Sequence, residues 1–135
     1  MKYRQGRLLD HLHLTVRDLS ASRRFYSAVL AVLGIPIEDR PAKRAFSADE
    51  IWITDGGPLT GRIHFAFQAK DRATVGRFHA AGLAAGGRDN GRPGERDYHP
   101  GYYAAFLLDP DGNNVEAVHH GPTHRSAESV VITIG

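Results

Sequence analysis

The chain has no cysteine among its 135 residues. That excludes disulfides, thiolate metal ligands and a cysteine nucleophile, and it suits a reducing compartment. Long apolar runs are missing too: the longest, Ala28 to Ile35 with Gly34 inside it, is far too short to span a membrane. Met1 to Asp10 carries no apolar signal core. There is no surplus of one charge, since 17 Lys+Arg face 15 Asp+Glu for a net +2. The basic residues form no block and interleave with no aromatic ladder, so nucleic acid is not the expected partner. The expectation is a soluble, cytoplasmic protein. With 41% apolar and 24% charged residues, the length suits one compact domain or two small halves sharing a core. What the chain does have is eight histidines, so imidazole and oxygen are its metal-ligand chemistry.

The first histidines lie in an alternating segment, residues 9–17, which reads as a strand. Leu12, Leu14 and Val16 take one face, and His11, His13 and Thr15 the other. Asp18 or Ser20 can cap a following helix whose apolar positions are Ala21, Phe25, Val29, Leu30 and Leu33. Gly34 suits the residue just past its end, and Pro36 forbids continuation. A shift of 53 residues brings the unit back. His11 falls on His64, Asp18 on Asp71, Arg24 on Arg77, Phe25 on Phe78, Ala28 on Ala81, Leu30 on Leu83 and Gly34 on Gly87. Identities in matching structural roles imply duplication. Shorter strand-like runs follow each helix: Ile35 to Arg40, Arg44 to Ser47 and Glu50 to Thr54, then one near Gly87, Tyr102 to Leu108 and Asn114 to His119. Asp55-Gly56-Gly57-Pro58 links the halves, and Arg88 to Pro100, rich in Gly, Pro and charge, reads as a loop with at most a short edge strand.

The predicted fold is therefore α+β, with two βαβββ modules (about 8–58 and 61–120) pairing into a curved, cup-shaped mixed sheet. They form one domain over 1–120, and the tail 121–135 can add an edge strand. The second module closes with Asp109-Pro110-Asp111-Gly112, a turn between apolar runs, and then places Glu116 inside an apolar strand. A buried carboxylate is costly without a partner. Pseudo-twofold pairing of the modules would set His11 and His64 face to face, beside the strand bearing Glu116. Two imidazoles and a carboxylate with open positions form a common ligand set for one catalytic divalent ion, whether Fe, Mn, Ni, Zn or Co.

Asp10-His11-Leu12-His13-Leu14-Thr15-Val16, Ser22 to Tyr26, Arg62 to Phe67 and Phe106 to Glu116 together resemble the vicinal oxygen chelate superfamily. Glyoxalase I, extradiol dioxygenases, fosfomycin-resistance transferases and bleomycin-resistance proteins belong to it. The resemblance covers about residues 8–120 and implies metal-ligand roles for His11, His64 and Glu116. It also implies a divalent-metal enzyme (a dioxygenase, lyase or isomerase) whose substrate chelates through neighbouring oxygens. Glyoxalase I-like proteins carry a glutamate on the last strand of the first module, where register points to Trp52. A slip of two residues would put Glu50 there instead.

His13 and Trp52 are candidate pocket residues. Tyr102, Tyr103 and His99 are candidate substrate-orienting or acid–base groups, with only one of the two tyrosines able to enter the cup. The alternative function is non-catalytic drug binding of the bleomycin-resistance type, for which Trp52, Tyr102 and Tyr103 offer stacking surfaces. A fosfomycin-type transferase ranks lower. The loop before Tyr102 offers Arg92 and Arg96 but no lysine, and His13 stands where that group carries threonine. Edge strands in two short modules point to a homodimer.

Overall fold

The repeat is visible as two copies of one topology in the computed structural model, which describes residues 2–5, 8–122 and 130–135. In chain order come β1 (Lys2–Gln5), β2 (Leu12–Val16), α1 (Leu19–Val32), β3 (Glu38–Arg40) and a 3-10 turn at Pro41–Lys43. Then follow β4 (Ala45–Ala48), β5 (Ile51–Asp55), β6 (His64–Gln68), α2 (Arg72–Ala84), β7 (Arg88–Glu95), β8 (Tyr103–Leu108), β9 (Asn114–His119) and β10 (Val130–Thr133). The first four-stranded sheet has the order β2-β5-β4-β3 and the second β6-β9-β8-β7. In both, the first strand runs parallel to the last and the rest are antiparallel. Among the described residues no ladder joins the two sheets, so the cup is not closed within one chain. β1 and β10 pair antiparallel as a separate ribbon, and residues 123–129 of the tail lie outside the described residues.

Equivalent local chemistry starts each helix. The Asp18 carboxylate accepts from the Ala21 N–H at 3.1 Å, and Asp71 accepts from the Thr74 N–H at 2.7 Å. Both are N-cap bonds that satisfy a donor with no intrahelical partner. The copies diverge at the helix ends. Gly34 (φ 76°) follows α1 as expected, but α2 is one residue shorter, and Gly86 (φ 95°) takes the left-handed position that the offset assigned to Gly87. Gly87 instead packs against α1: a Cβ there would lie 2.5 Å from the Phe25 ring.

The helices cover one face of both sheets. Phe25, Tyr26, Val29 and Leu30 of α1 and Val75 and Phe78 of α2 are buried against Leu14, Ile53, Leu107 and Val115. That leaves His13 and Trp52 on the opposite, open face of the first sheet, and Glu116 and Phe106 on that of the second.

Two strand expectations change. The first strand begins at Leu12, so His11 lies just before it. The segment expected to be mostly loop instead holds an eight-residue edge strand, β7, paired with β8 through two register shifts at Gly91 and Gly94. Bulges at glycines let an edge strand carry composition that otherwise breaks one, including Pro93.

Candidate functional site

The hairpin between β8 and β9 sets the position of the second open face. Asp109 is 1% exposed and accepts from the backbone N–H groups of Asp111 and Asn113, from the Asn113 side-chain amide and from the Tyr26 hydroxyl at 2.5 Å. Asn113 Oδ1 in turn accepts from the Ile63 N–H, one residue before β6. The turn thus ties α1, β6 and β9 together and fixes where His64 and Glu116 stand.

On that face Glu116 is only 2% exposed. His64 Nε2 lies 2.8 Å from Glu116 Oε1, and the Tyr102 hydroxyl donates to Glu116 Oε2. Burial, and then the hydrogen bond and charge of Glu116, hold the Tyr102 hydroxyl well above its ordinary pKa, so it is a proton donor at neutral pH. The His64 ring sits 5.8 Å from Phe106, and the Arg96 guanidinium lies over Phe106 at 5.3 Å. Tyr103, one residue on from Tyr102, points to the helix side, where Arg72 covers its ring at 4.6 Å.

The loop before Tyr102 and the end of β9 contribute one imidazole each, His99 and His120. His99 Nδ1 lies 2.9 Å from the Pro100 carbonyl, and His99 Nε2 lies 2.8 Å from His120 Nδ1. A carbonyl only accepts, so His99 Nδ1 donates to it, and in the neutral ring Nε2 is then the acceptor toward His120 Nδ1. Both rings stand edge-on to Tyr102. The strand expected over Asn114 to His119 stops one residue short of His120. The period-2 alternation Glu116, Val118, His120 was the signal that puts it on the same face.

The first sheet's open face carries the other candidates. His13 Nε2 is 2.7 Å from the Thr54 hydroxyl, and Trp52 is flanked by Arg40 at 5.6 Å and Lys43 at 5.7 Å. His11, on the same side by alternation, is exposed and bonded to Asp10 at 2.7 Å. Strand register settles which residue corresponds to Glu116. Leu12 pairs with Ile51 and its equivalent Phe65 with Val115, so the next residues, Trp52 and Glu116, are counterparts. Glu50 corresponds to Asn114 and is not the matching carboxylate.

The donor set suits a divalent ion in part. An imidazole nitrogen and a carboxylate oxygen converge at His64 and Glu116, the chemistry borderline metals take. On the same face Asn114 Oδ1 is a buried oxygen with no hydrogen-bond partner among the described residues. Yet no group of three or more His, Asp or Glu residues that could hold a metal occurs among the described residues. One chain therefore assembles two donors, and His11 is not grouped with them. A cavity of about 680 Å³ lies apart from this pair, near Lys70, His119 and His120 at the end of α1. Its lining includes no carboxylate, so the donor chemistry favours the His64–Glu116 face.

The sequence profile of the Glyoxalase/Bleomycin resistance protein/Dioxygenase superfamily matches residues 8–117. The chain belongs to that superfamily. It is similar to a glyoxalase/bleomycin resistance protein from Albidiferax ferrireducens T118, at 36% identity and TM-score 0.73, over 83% of this chain and 98% of that one. A family enzyme from Burkholderia phytofirmans PsJN shares the fold at 20% identity and TM-score 0.63, over 82% of this chain and 97% of that one. A glyoxalase I mutant from Zea mays shares it at 22% identity and TM-score 0.56, over 90% of this chain and 46% of that one. No match exists among curated proteins. Within the superfamily's paired-module fold, this member carries a tryptophan on the first module where the second carries Glu116.

Proposed function

We propose that the protein is a divalent-metal-dependent enzyme of the glyoxalase/dioxygenase type, acting on a small substrate with neighbouring oxygens. His64 and Glu116 of one chain and His11 of a second chain would hold the ion, with the two open faces meeting in a homodimer. The observation that carries this reading is the buried Glu116 carboxylate, shared between His64 and Tyr102 on an open sheet face. A buried carboxylate whose hydrogen-bond partners among the described residues are one imidazole and one phenol is a site prepared for a cation. A bound divalent ion would supply Lewis acidity to two adjacent substrate oxygens. Glu116 is oriented through Oε2 by Tyr102, leaving Oε1 and His64 Nε2 together. Tyr102, protonated at neutral pH, is the acid nearest that pair.

The test is metal content after purification and dialysis, with Ni²⁺, Mn²⁺, Fe²⁺, Co²⁺ and Zn²⁺ offered separately. Stoichiometric uptake that His64→Ala and Glu116→Gln abolish supports the reading. Uptake unchanged in Glu116→Gln defeats it.

A second reading, drug binding without a metal, is favoured by Trp52. Arg40 and Lys43 crowd its ring where a metal carboxylate would otherwise stand. A protein that takes up none of these ions yet quenches Trp52 fluorescence on binding a planar aromatic compound would fit this reading instead.

A further inference from the structure

β7 is an unusual edge strand because two of its residues on the open face, Gly91 and Gly94, have no side chain. Their bareness has a physical use. A Cβ on Gly91 would come within 2.8 Å of the Phe106 ring and 3.2 Å of Arg96 Nη2, and one on Gly94 within 3.1 Å of Arg96 Nη1. The Arg96 guanidinium fills the space those side chains would take. Nη2 donates to the Arg92 carbonyl at 2.7 Å and Nη1 to the Glu95 carbonyl at 3.3 Å, while the plane lies over Phe106. Among the described residues Arg96 has no carboxylate partner, whereas Arg23, Arg40, Arg44 and Arg72 each have one. Two of its five N–H groups are held by carbonyls, which leaves three to donate. The same Phe106 ring also contacts His64, at 5.8 Å between centroids, so one aromatic side chain touches both the guanidinium and the His64 side of the His64–Glu116 pair.

We propose that Arg96 is the residue that selects the substrate, binding the carboxylate of a 2-oxo or 2-hydroxy acid, in which one carboxylate oxygen and the C2 oxygen are the neighbouring pair presented at His64 and Glu116. This rests on the function proposed above. A planar fork of free donors matches a carboxylate's two oxygens, and one guanidinium matches one negative charge. Two carbonyls and an aromatic face fix the fork before binding, so little side-chain freedom is lost when the acid arrives.

The test pairs acids with their neutral amides: pyruvate with pyruvamide and mandelate with mandelamide, titrated calorimetrically into protein with and without one equivalent of Ni²⁺. The expected result is tighter binding of each acid than its amide. Arg96→Gln should reduce acid affinity about tenfold, reduce amide affinity by less and leave Ni²⁺ uptake unchanged. Gly94→Ala keeps the charge but pushes on Nη1, so it should weaken acid binding severalfold and add nothing in the Arg96→Gln background. Equal binding of acid and amide by the unaltered protein, no binding of either, or an additive Gly94→Ala effect overturns the proposal. The two proposals fail separately. Loss of acid selectivity with intact metal uptake defeats only the role of Arg96. Arg96-dependent acid binding in a protein that takes up no metal defeats only the metal site.

Discussion

Tyr26 is fully buried, and its hydroxyl donates to Asp109 at 2.5 Å. Burial and the neighbouring carboxylate hold that phenol well above its unfolded value of 10.0. A raised acid contributes stability that is complete below the unfolded pKa and lost as pH rises through the folded one. Chemical unfolding followed from about pH 8 to about pH 11 should therefore show stability falling at the alkaline end. Tyr26→Phe should lower stability at neutral pH by about 1–3 kcal/mol and flatten that alkaline fall. An unchanged alkaline slope would remove Tyr26 as its source. In the site, Tyr102 is the matching question. Tyr102→Phe removes the donor that orients Glu116 Oε2 and should weaken metal affinity by roughly 10–100-fold in the proposed site, read by chelator competition. Single residues were unevenly legible in the sequence. Glu116 stood out as a carboxylate in an apolar run. The choice between Trp52 and Glu50 needed strand register, because a two-residue slip keeps a side chain on the same face.

Helix α2 crosses α1 at Gly82. A Cβ there would lie 2.2 Å from a Leu107 methyl, 3.1 Å from Val29 and 3.3 Å from Phe25. Helix propensity alone favours Gly82→Ala by roughly 1 kcal/mol. Leu107, Val29 and Phe25 are fully buried and have nowhere to move, so overpacking should win. We expect net destabilisation of about 1–2 kcal/mol, seen as a lower thermal midpoint, and a stabilised variant would contradict this packing. At this scale the sequence read well where chemistry is local. Both helix caps, Asp18 and Asp71, and the Asp109 turn follow from neighbouring residues. β7 did not, because its glycines, proline and charges resemble a loop. Their reason lies in Arg96, the residue just after β7, and in Phe106, which the fold brings alongside from β8.

The whole molecule presents two open faces of different character. The second holds Glu116, His64, Tyr102 and Arg96, and the first holds His13 and Trp52 with Arg40 and Lys43. The duplication made their equivalence legible: a 53-residue offset shows that His11 corresponds to His64. It cannot say whether equivalent faces meet within a chain or between chains, because internal symmetry constrains the modules and not their partners. Within one chain the sheets stay unjoined, and no three ligand-type residues gather among the described residues. A twofold dimer that pairs the first face of one chain with the second face of another would create two equivalent His11–His64–Glu116 sites.

That arrangement is tested by complementation. His11→Ala and Glu116→Gln chains, each carrying a different affinity tag, are purified alone and as the mixed dimer, and metal uptake is measured for each. If the site is shared between chains, both homodimers bind no metal, and the mixed dimer, with one intact and one doubly altered site, binds about one ion. A mixed dimer as empty as its parents, or a Glu116→Gln homodimer that still loads fully, would contradict the account.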